Sequence, residues 1–152
     1  MILISACLAG VHCRYDGGNN ETKEMVRWVQ KGKAILACPE QLGGLSTPRL
    51  PCEIVDGDGG DVLCNKAMVI NKEGQDQTRY FIKGAEETLR IAKLYGVKTA
   101  ILKARSPSCG SGCIYDGSFS GGKKKGDGIT AAILKQNGIK VLDEENFREY
   151  IK

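Results

Sequence analysis

Short apolar runs alternate with helix-like segments along most of this sequence, and this alternation limits the possible folds more than any other feature. The runs over 2–6, 34–37, 97–102 and 140–143 have the length and composition of buried strands. Helical spacing of apolar residues predicts helices over 21–31, 78–95, 129–136 and from Glu144 onward. Right-handed strand–helix–strand connections of this kind build a parallel sheet with helices on both faces. We therefore predict a single Rossmann-like α/β domain over residues 1–152, with a mostly parallel sheet.

Three segments interrupt the alternation. Residues 41–61 are rich in glycine and also contain proline, and they are predicted to form a long loop. Residues 67–71, with a turn at 72–74, predict a strand that belongs either to an inserted hairpin or to the edge of the sheet. The glycine-rich segment 117–128 includes GGKKKGDG, which lacks the Gly-Lys-Ser/Thr of a phosphate-binding loop. It is predicted to be a flexible lid or a linker.

The composition is that of a globular protein that needs no disulfide or metal to fold. The chain has 152 residues, of which 41% are hydrophobic and 26% charged, so a core of ordinary size is available. Much of the net charge of +4 lies in the lysine run 123–125, which normally forms a solvated loop, so we expect no nucleic-acid partner. The sequence has neither a signal-peptide pattern at its start nor a run of about 18 apolar residues. We therefore expect a cytoplasmic protein with no membrane partner.

Seven cysteines are the main chemical feature of the chain. They are many for a reducing compartment, yet the chain is too long and too core-rich to be a disulfide scaffold, which favours metal binding or thiol chemistry. Three of them, Cys7, Cys38 and Cys109, each follow a predicted strand. Because the carboxyl ends of parallel strands lie at one edge of the sheet, where such folds bind ligands, we expect these three thiols to meet.

The spacing of the cysteines narrows the kind of metal site. Thiolate sulfur favours zinc, Cu(I) and iron–sulfur clusters over hard cations. Structural zinc ribbons and ferredoxin clusters use Cys-x2-Cys pairs, whereas five residues separate Cys7 from Cys13 and three separate Cys109 from Cys113. The ligands would then come from separate loops and leave a position open to substrate. The fourth ligand stays open among four cysteines that packing also explains: Cys13, Cys52, Cys64 and Cys113.

Thiol chemistry without a metal has weaker support. The loop KARSPSCGSGC around Cys109 has small residues whose backbone N–H groups can converge on an anion. A phosphatase-type Cys-x5-Arg loop is absent, because six residues separate Cys7 from Arg14 and Tyr115 stands at the arginine position after Cys109. His12, the single histidine, is close enough in sequence to pair with a cysteine of the first loop.

Three motifs span nearly the whole chain. They are Ser5-Ala6-Cys7-Leu8 with Arg14-Tyr15-Asp16-Gly17, then Cys38-Pro39-Glu40 with Gly43-Gly44-Leu45 and Pro48-Arg49, then Lys103 with Ser106-Pro107-Ser108-Cys109-Gly110. Together and in this order they resemble the DUF523 family, which includes thiouracil desulfidases. The resemblance implies a 4Fe-4S cluster held by three cysteines, here Cys7, Cys38 and Cys109, with one iron open to the sulfur of a thiolated nucleobase.

The resemblance also implies catalytic side chains at Glu40 and Ser106. Conversion of C=S to C=O needs water and a base, and Glu40, two residues from a cysteine of the second motif, suits that role. Ser106 would relay a proton or orient the substrate, and Asp16 is a second candidate base. Each acid also has a structural explanation: Glu40 can form a loop salt bridge with Arg14, Arg49 or Lys103, and Asp16 can serve the turn before Gly17.

The sequence therefore predicts an iron–sulfur-dependent desulfidase that acts on a small thiolated heterocycle similar to 2-thiouracil and needs no net electron transfer. Two other functions remain open. In one, the same cysteines hold a structural zinc or cluster in a partner-binding module. In the other, Cys109 carries a persulfide. Cys13 and Cys113 do not match the family pattern, so a different fourth ligand also stays possible.

Overall fold

The structure is a computed structural model, and it describes residues 1–151. Its strands and helices are β1 (Ile2–Ser5), a 3-10 helix (Ala6–Ala9), α1 (Lys23–Gln30), β2 (Ala34–Ala37), α2 (Pro39–Leu42), β3 (Cys52–Val55), α3 (Gly59–Leu63), β4 (Met68–Asn71), α4 (Thr78–Leu94), β5 (Thr99–Leu102), β6 (Cys113–Tyr115), β7 (Lys123–Lys125), α5 (Ile129–Gln136), β8 (Lys140–Asp143) and α6 (Phe147–Tyr150).

The centre of the fold is a four-stranded sheet in the order β2-β1-β5-β8, with all neighbouring pairs parallel. Side chains alternate between its faces, as the strand period requires. Leu3 and Leu102 pack with residues of α4 and α5, whereas Ile4 and Ile101 pack with residues of α1 and α6. The predicted α/β class, with helices on both faces of a parallel sheet, is confirmed.

The prediction of a long loop over 41–61 is wrong. This segment contains the second half of α2, all of β3 and the start of α3. β3 pairs antiparallel with β4 in a separate two-stranded sheet, so the strand near 67–71 belongs to an inserted hairpin and not to the edge of the main sheet. Fully buried Ile54 and Val69 from this hairpin pack with Phe81 of α4 in a core cluster of their own.

The prediction of a lid or linker at GGKKKGDG is also wrong. Lys123–Lys125 forms β7, which pairs antiparallel with β6. The Nζ of Lys124 donates a hydrogen bond of 3.1 Å to the carbonyl of Ile54, so this lysine ties the β6–β7 hairpin to β3.

The strand order places a crevice at one position on the sheet. The chain passes from β1 outward to β2 on one side and from β5 outward to β8 on the other, so its direction reverses between β1 and β5. Ligands of open α/β sheets bind at the carboxyl ends of the strands at such a reversal. Within residues 1–151, no helix combines the length and the apolar character that crossing a membrane would need.

Candidate metal centre and active site

A cavity of about 260 Å³ lies at the carboxyl ends of β1, β2 and β5. Its wall includes five cysteines, which come from the loops after these strands and from β3: Cys7, Cys13, Cys38, Cys52 and Cys109. All are free thiols. Cys64 and Cys113 are not part of the wall, and neither is His12.

Each of the three cysteines after a central strand is placed by the turn that ends the strand. Cys7 is buried in the 3-10 helix that continues β1, and Cys38 is the N-cap residue of α2, directly after β2. Pro39 at the first position of α2 fixes the backbone there, because its φ already suits a helix. Cys109 is buried in the turn after β5, where its backbone N–H donates to Oγ of Ser106 at 2.7 Å.

Cys13 is one of the four cysteines that the sequence left open as a fourth ligand. It is 2% exposed and packs in one core cluster with Cys7 and Cys38, whose thiols both affect its pKa. Its carbonyl accepts a hydrogen bond from Sγ of Cys38 at 3.8 Å. Cys13 therefore adds a thiol beside two of the three strand-end cysteines.

Burial and mutual contact keep several of these thiols protonated in the metal-free protein. Burial raises the pKa of Cys109 to about 11, although the hydroxyls of Ser5 and Ser108 act against this rise. The pKa of Cys38 is raised by its hydrogen bond with Cys13 and by burial. For Cys13, the hydrogen bond with Cys38 lowers the pKa, but the contact with Cys7 and burial outweigh it and raise the pKa to about 11.

Cys52 lies on the wall away from this group. Burial raises its pKa to about 12, and the negative charge of Glu40 adds to the rise. Thiols of this kind must lose their protons to bind a metal, so loading of the site would release protons.

The donor set fits an iron–sulfur cluster better than a single ion. Among residues 1–151, no three His, Cys, Asp or Glu side chains are arranged to hold one metal ion. The three strand-end thiols nevertheless face one cavity. A cluster is larger than an ion, so its ligands need not touch one another. Hydroxyl groups of Ser5 and Ser108 lie 3.4 and 3.5 Å from Sγ of Cys109. Hydrogen bonds to sulfur of this kind tune iron–sulfur centres.

Glu40 lies in the first turn of α2, two residues after Cys38, and lines the same cavity. Its Oε1 accepts a hydrogen bond from Nε of Arg49 at 3.2 Å, and its Oε2 accepts one from Oγ of Ser108 at 3.1 Å. Of the three salt bridges that the sequence allowed, the structure forms the one with Arg49. Lys103 pairs instead with Glu144 at 2.7 Å.

Ser106 is linked to Glu40 through Ser108. The Oγ atoms of Ser106 and Ser108 lie 3.3 Å apart, and Ser108 is 1% exposed. Because Ser108 donates its only proton to Glu40, the hydroxyl of Ser106 is the donor in this contact, and its oxygen accepts the N–H of Cys109. Sequence reasoning did not single out Ser108, since a serine beside proline is read as a turn residue. The only signal was its place in the third motif.

Asp16 is not brought to this site. It is not part of the cavity wall, and its Oδ1 accepts the N–H of Gly18 at 2.9 Å, as in a side-chain-stabilised turn. Its nearest cation is Arg14, with Nε 3.9 Å from Oδ1. The structure thus brings Glu40 and Ser106 together with the three strand-end cysteines and leaves Asp16 outside them.

Comparisons with known proteins show the family of the chain. Residues 2–146 match the 2-thiouracil desulfurase family. The chain belongs to this family. It is also 47% identical over 151 residues to the uncharacterized protein YbbK of Bacillus subtilis (strain 168), a match that covers 99% of this chain and 100% of that protein.

A solved structure shares the fold. The 4Fe-4S-dependent thiouracil desulfidase TudS superimposes with a TM-score of 0.86 at 39% identity, over 97% of this chain and 93% of that one. The family match and this neighbour support a desulfidase enzyme, and the dependence on a 4Fe-4S cluster is a property of the neighbour. The resemblance to DUF523 that the sequence motifs indicated is confirmed.

Proposed function

We propose that this desulfidase converts the C=S group of a thiolated pyrimidine such as 2-thiouracil into C=O and releases hydrogen sulfide. The observation that carries the proposal is the convergence of three free thiols from three strand ends on one cavity, beside the Glu40 carboxylate. Membership of the 2-thiouracil desulfurase family and the likeness to TudS support the choice of substrate.

Cys7, Cys38 and Cys109 would hold a 4Fe-4S cluster. When bound, the cluster would supply a Lewis-acidic iron that takes up the substrate sulfur and makes it a better leaving group. Cys13 lies against two of these thiols, and we assign it no ligand role, since the family pattern pairs the cluster with three cysteines.

Glu40 would act as the base. Each carboxylate oxygen has two lone pairs, so Oε2 can accept a proton from water while it keeps its bond with Ser108. The oxygen of that water bonds to the thiolated carbon as the carbon–sulfur bond breaks. One water is consumed and one hydrogen sulfide leaves. No atom changes its oxidation state, so no reductant is needed. Ser106, which is linked to Glu40 through Ser108, would orient the substrate or return a proton to the departing group.

The ligand assignment is tested by removing single cysteines. Cys7→Ala, Cys38→Ala and Cys109→Ala should each abolish cluster binding after anaerobic reconstitution, measured as iron and sulfide per chain. Cys64→Ala is the matched control, because this cysteine is exposed and is not part of the cavity wall. Cys52→Ala should also keep its iron. Full iron retention in Cys109→Ala would end the assignment.

The reaction is tested by incubating reconstituted protein anaerobically with 2-thiouracil and following uracil and sulfide together. Glu40→Gln should keep the cluster and lose turnover, because the amide removes the base without touching a ligand. Ser106→Ala should lose less, since water can replace a hydroxyl that orients or relays. If a panel of thiolated nucleobases gives neither product while the cluster is intact, the desulfidase proposal is wrong.

Metal analysis separates this proposal from its two alternatives. About four irons with sulfide per chain support the enzyme, one zinc supports a structural binding module, and no metal supports a persulfide carrier. The burial of Cys109 and its raised pKa disfavour the carrier, because the thiolate is the reactive form and a carrier sulfur must be reached by its partner.

A further inference from the structure

The Pro48-Arg49 part of the second motif has no role in the reaction described so far, yet it contains the most heavily bonded charge at the site. The Arg49 side chain is 7% exposed. A charge this deeply buried is costly unless its donors are paired. The guanidinium donates to Oε1 of Glu40 at 3.2 Å, to the carbonyl of Cys13 at 2.8 Å, to the carbonyl of Ser46 at 3.2 Å and to Oγ1 of Thr47 at 2.9 Å.

These contacts fix the direction of the Glu40 carboxylate. Arg49 occupies one carboxylate oxygen, so the other is turned toward Ser108 and the cavity. The Glu40 side chain is 16% exposed, so water does little to hold it. Without Arg49, only the hydrogen bond from Ser108 would restrain rotation of the carboxylate about its last torsion, which is soft in glutamate.

Arg49 connects its own loop to two other segments of the chain. Its guanidinium bridges α2, through Glu40, to the loop after Cys7, through the carbonyl of Cys13. The backbone N–H of Arg49 also donates to the carbonyl of Tyr15 at 2.8 Å. A planar guanidinium can make such divergent bonds at fixed angles, whereas the single ammonium of lysine cannot reproduce them.

We propose that Arg49 is a positioning residue for the reaction: it holds the Glu40 carboxylate so that Oε2 faces the substrate. This inference rests on the proposed function, in which Glu40 is the base. A purely structural Arg49 would instead pin the loops and leave the chemical step unchanged once the protein is folded and loaded.

The kinetic test compares Arg49→Ala, Arg49→Lys and the control Thr47→Val in reconstituted protein. Arg49→Ala should lower kcat by about 100-fold, the scale of a 1 Å misplacement of a reacting group, with KM changed by less than about threefold. Arg49→Lys should lower kcat nearly as much, because lysine keeps the positive charge but lacks the planar set of guanidinium donors. Thr47→Val removes one of the arginine's partners without touching Glu40 and should stay within about twofold of the parent protein.

Iron content and circular dichroism are measured on every variant to detect a folding defect. If Arg49→Ala does not fold or does not bind iron, the kinetics of Arg49→Lys test the inference. Wild-type kcat in either folded, iron-loaded variant would overturn the inference. A loss that appears only in KM would overturn it as well, because a positioned base acts on the chemical step.

A second measurement does not use activity. Urea unfolding of the cluster-free parent, Glu40→Gln, Arg49→Ala and the double variant forms a double-mutant cycle. Residues in direct contact should couple, so the double variant should lose less stability than the two single losses added together. Additive losses would overturn the inference. If Glu40→Gln instead proves fully active while the pair couples in unfolding, the assignment of the base fails and the Arg49–Glu40 contact stands.

Discussion

Gly84 offers the sharpest test of how the fold positions the site. It lies in α4 and faces α2, the short helix that begins after Cys38 and carries Glu40. A Cβ on Gly84 would overlap the carbonyl oxygen of Pro39 and stand 2.7 Å from its carbonyl carbon. Gly43, at the end of α2, faces the carbonyl of Tyr80 in the same way. Two glycines therefore allow these helices to approach each other closely.

The two effects of Gly84→Ala have opposite signs. In a helix interior with free space, the change from glycine to alanine stabilises by about 1 kcal/mol. Here the new methyl group meets backbone, which cannot swing away as a side chain can, so the overpacking cost should reach the upper end of its usual range, about 3 kcal/mol. The net loss is about 2 kcal/mol, which for a chain of this size lowers Tm by roughly 4–8 °C.

Thermal unfolding of the cluster-free protein, followed by circular dichroism, measures this loss. Gly60→Ala is the matched control, because it is also a helical glycine but its Cβ would make only an ordinary contact of 3.4 Å with Asp58. The control should keep or slightly raise Tm. In the loaded enzyme, Gly84→Ala should also lower kcat, since α2 must shift and it carries Glu40. A Tm for Gly84→Ala equal to or above that of the parent protein would refute the reasoning.

Two further predictions follow from the site. Asp16→Asn should reduce kcat by no more than a few-fold, far less than Glu40→Gln, because Asp16 lies outside the cavity wall and serves its own turn; an equal loss in both would restore Asp16 as a base. The cluster-free protein should also lose stability at alkaline pH. The pKa of Cys109 is raised from 9.0 to about 11 in the folded state, so the unfolded chain loses this proton first. The contribution of this thiol should therefore be constant below pH 9 and should be lost between pH 9 and pH 11, by roughly 3 kcal/mol. Urea unfolding that shows no fall in stability between pH 9 and pH 11 would contradict it.

Regular periodicity made the central sheet and its helices predictable. The expected helix 129–136 and strand 140–143 have the bounds of α5 and β8, since their apolar patterns are unbroken and asparagine and glycine stand between them. β7 was missed because three adjacent lysines flanked by glycines carry no strand signal of their own. Its pairing depends on β6 and on the bond from Lys124 to Ile54, a residue 70 positions away.

The candidate site also has a part that the sequence predicts and a part that only the fold determines. The strand-end position of each cysteine and the closeness of Glu40 to Cys38 are local features, so the sequence could indicate them. Ser108 meets Glu40 across 68 residues, and Arg49 meets Cys13 across 36. No local pattern encodes such contacts. The sequence allowed three cations as partners of Glu40, and only the fold selects Arg49 among them.

The site depends on the fold, but the fold should not depend on a cluster bound at the site. The proposed ligands lie on loops about 30 and 70 residues apart in sequence, and no single loop brings two of them together. The sheet that does so has a core of fully buried residues, such as Leu3, Ile4 and Ile101, and the cysteines are a minority of the clusters in which these residues pack. A chain of this size buries roughly two thirds of its unfolded surface and needs no metal to fold. Iron removal should therefore leave the far-ultraviolet circular dichroism spectrum nearly unchanged, with faster amide hydrogen exchange confined to the loops around Cys7, Cys38 and Cys109. Global unfolding on iron removal would show instead that the cluster is part of the core.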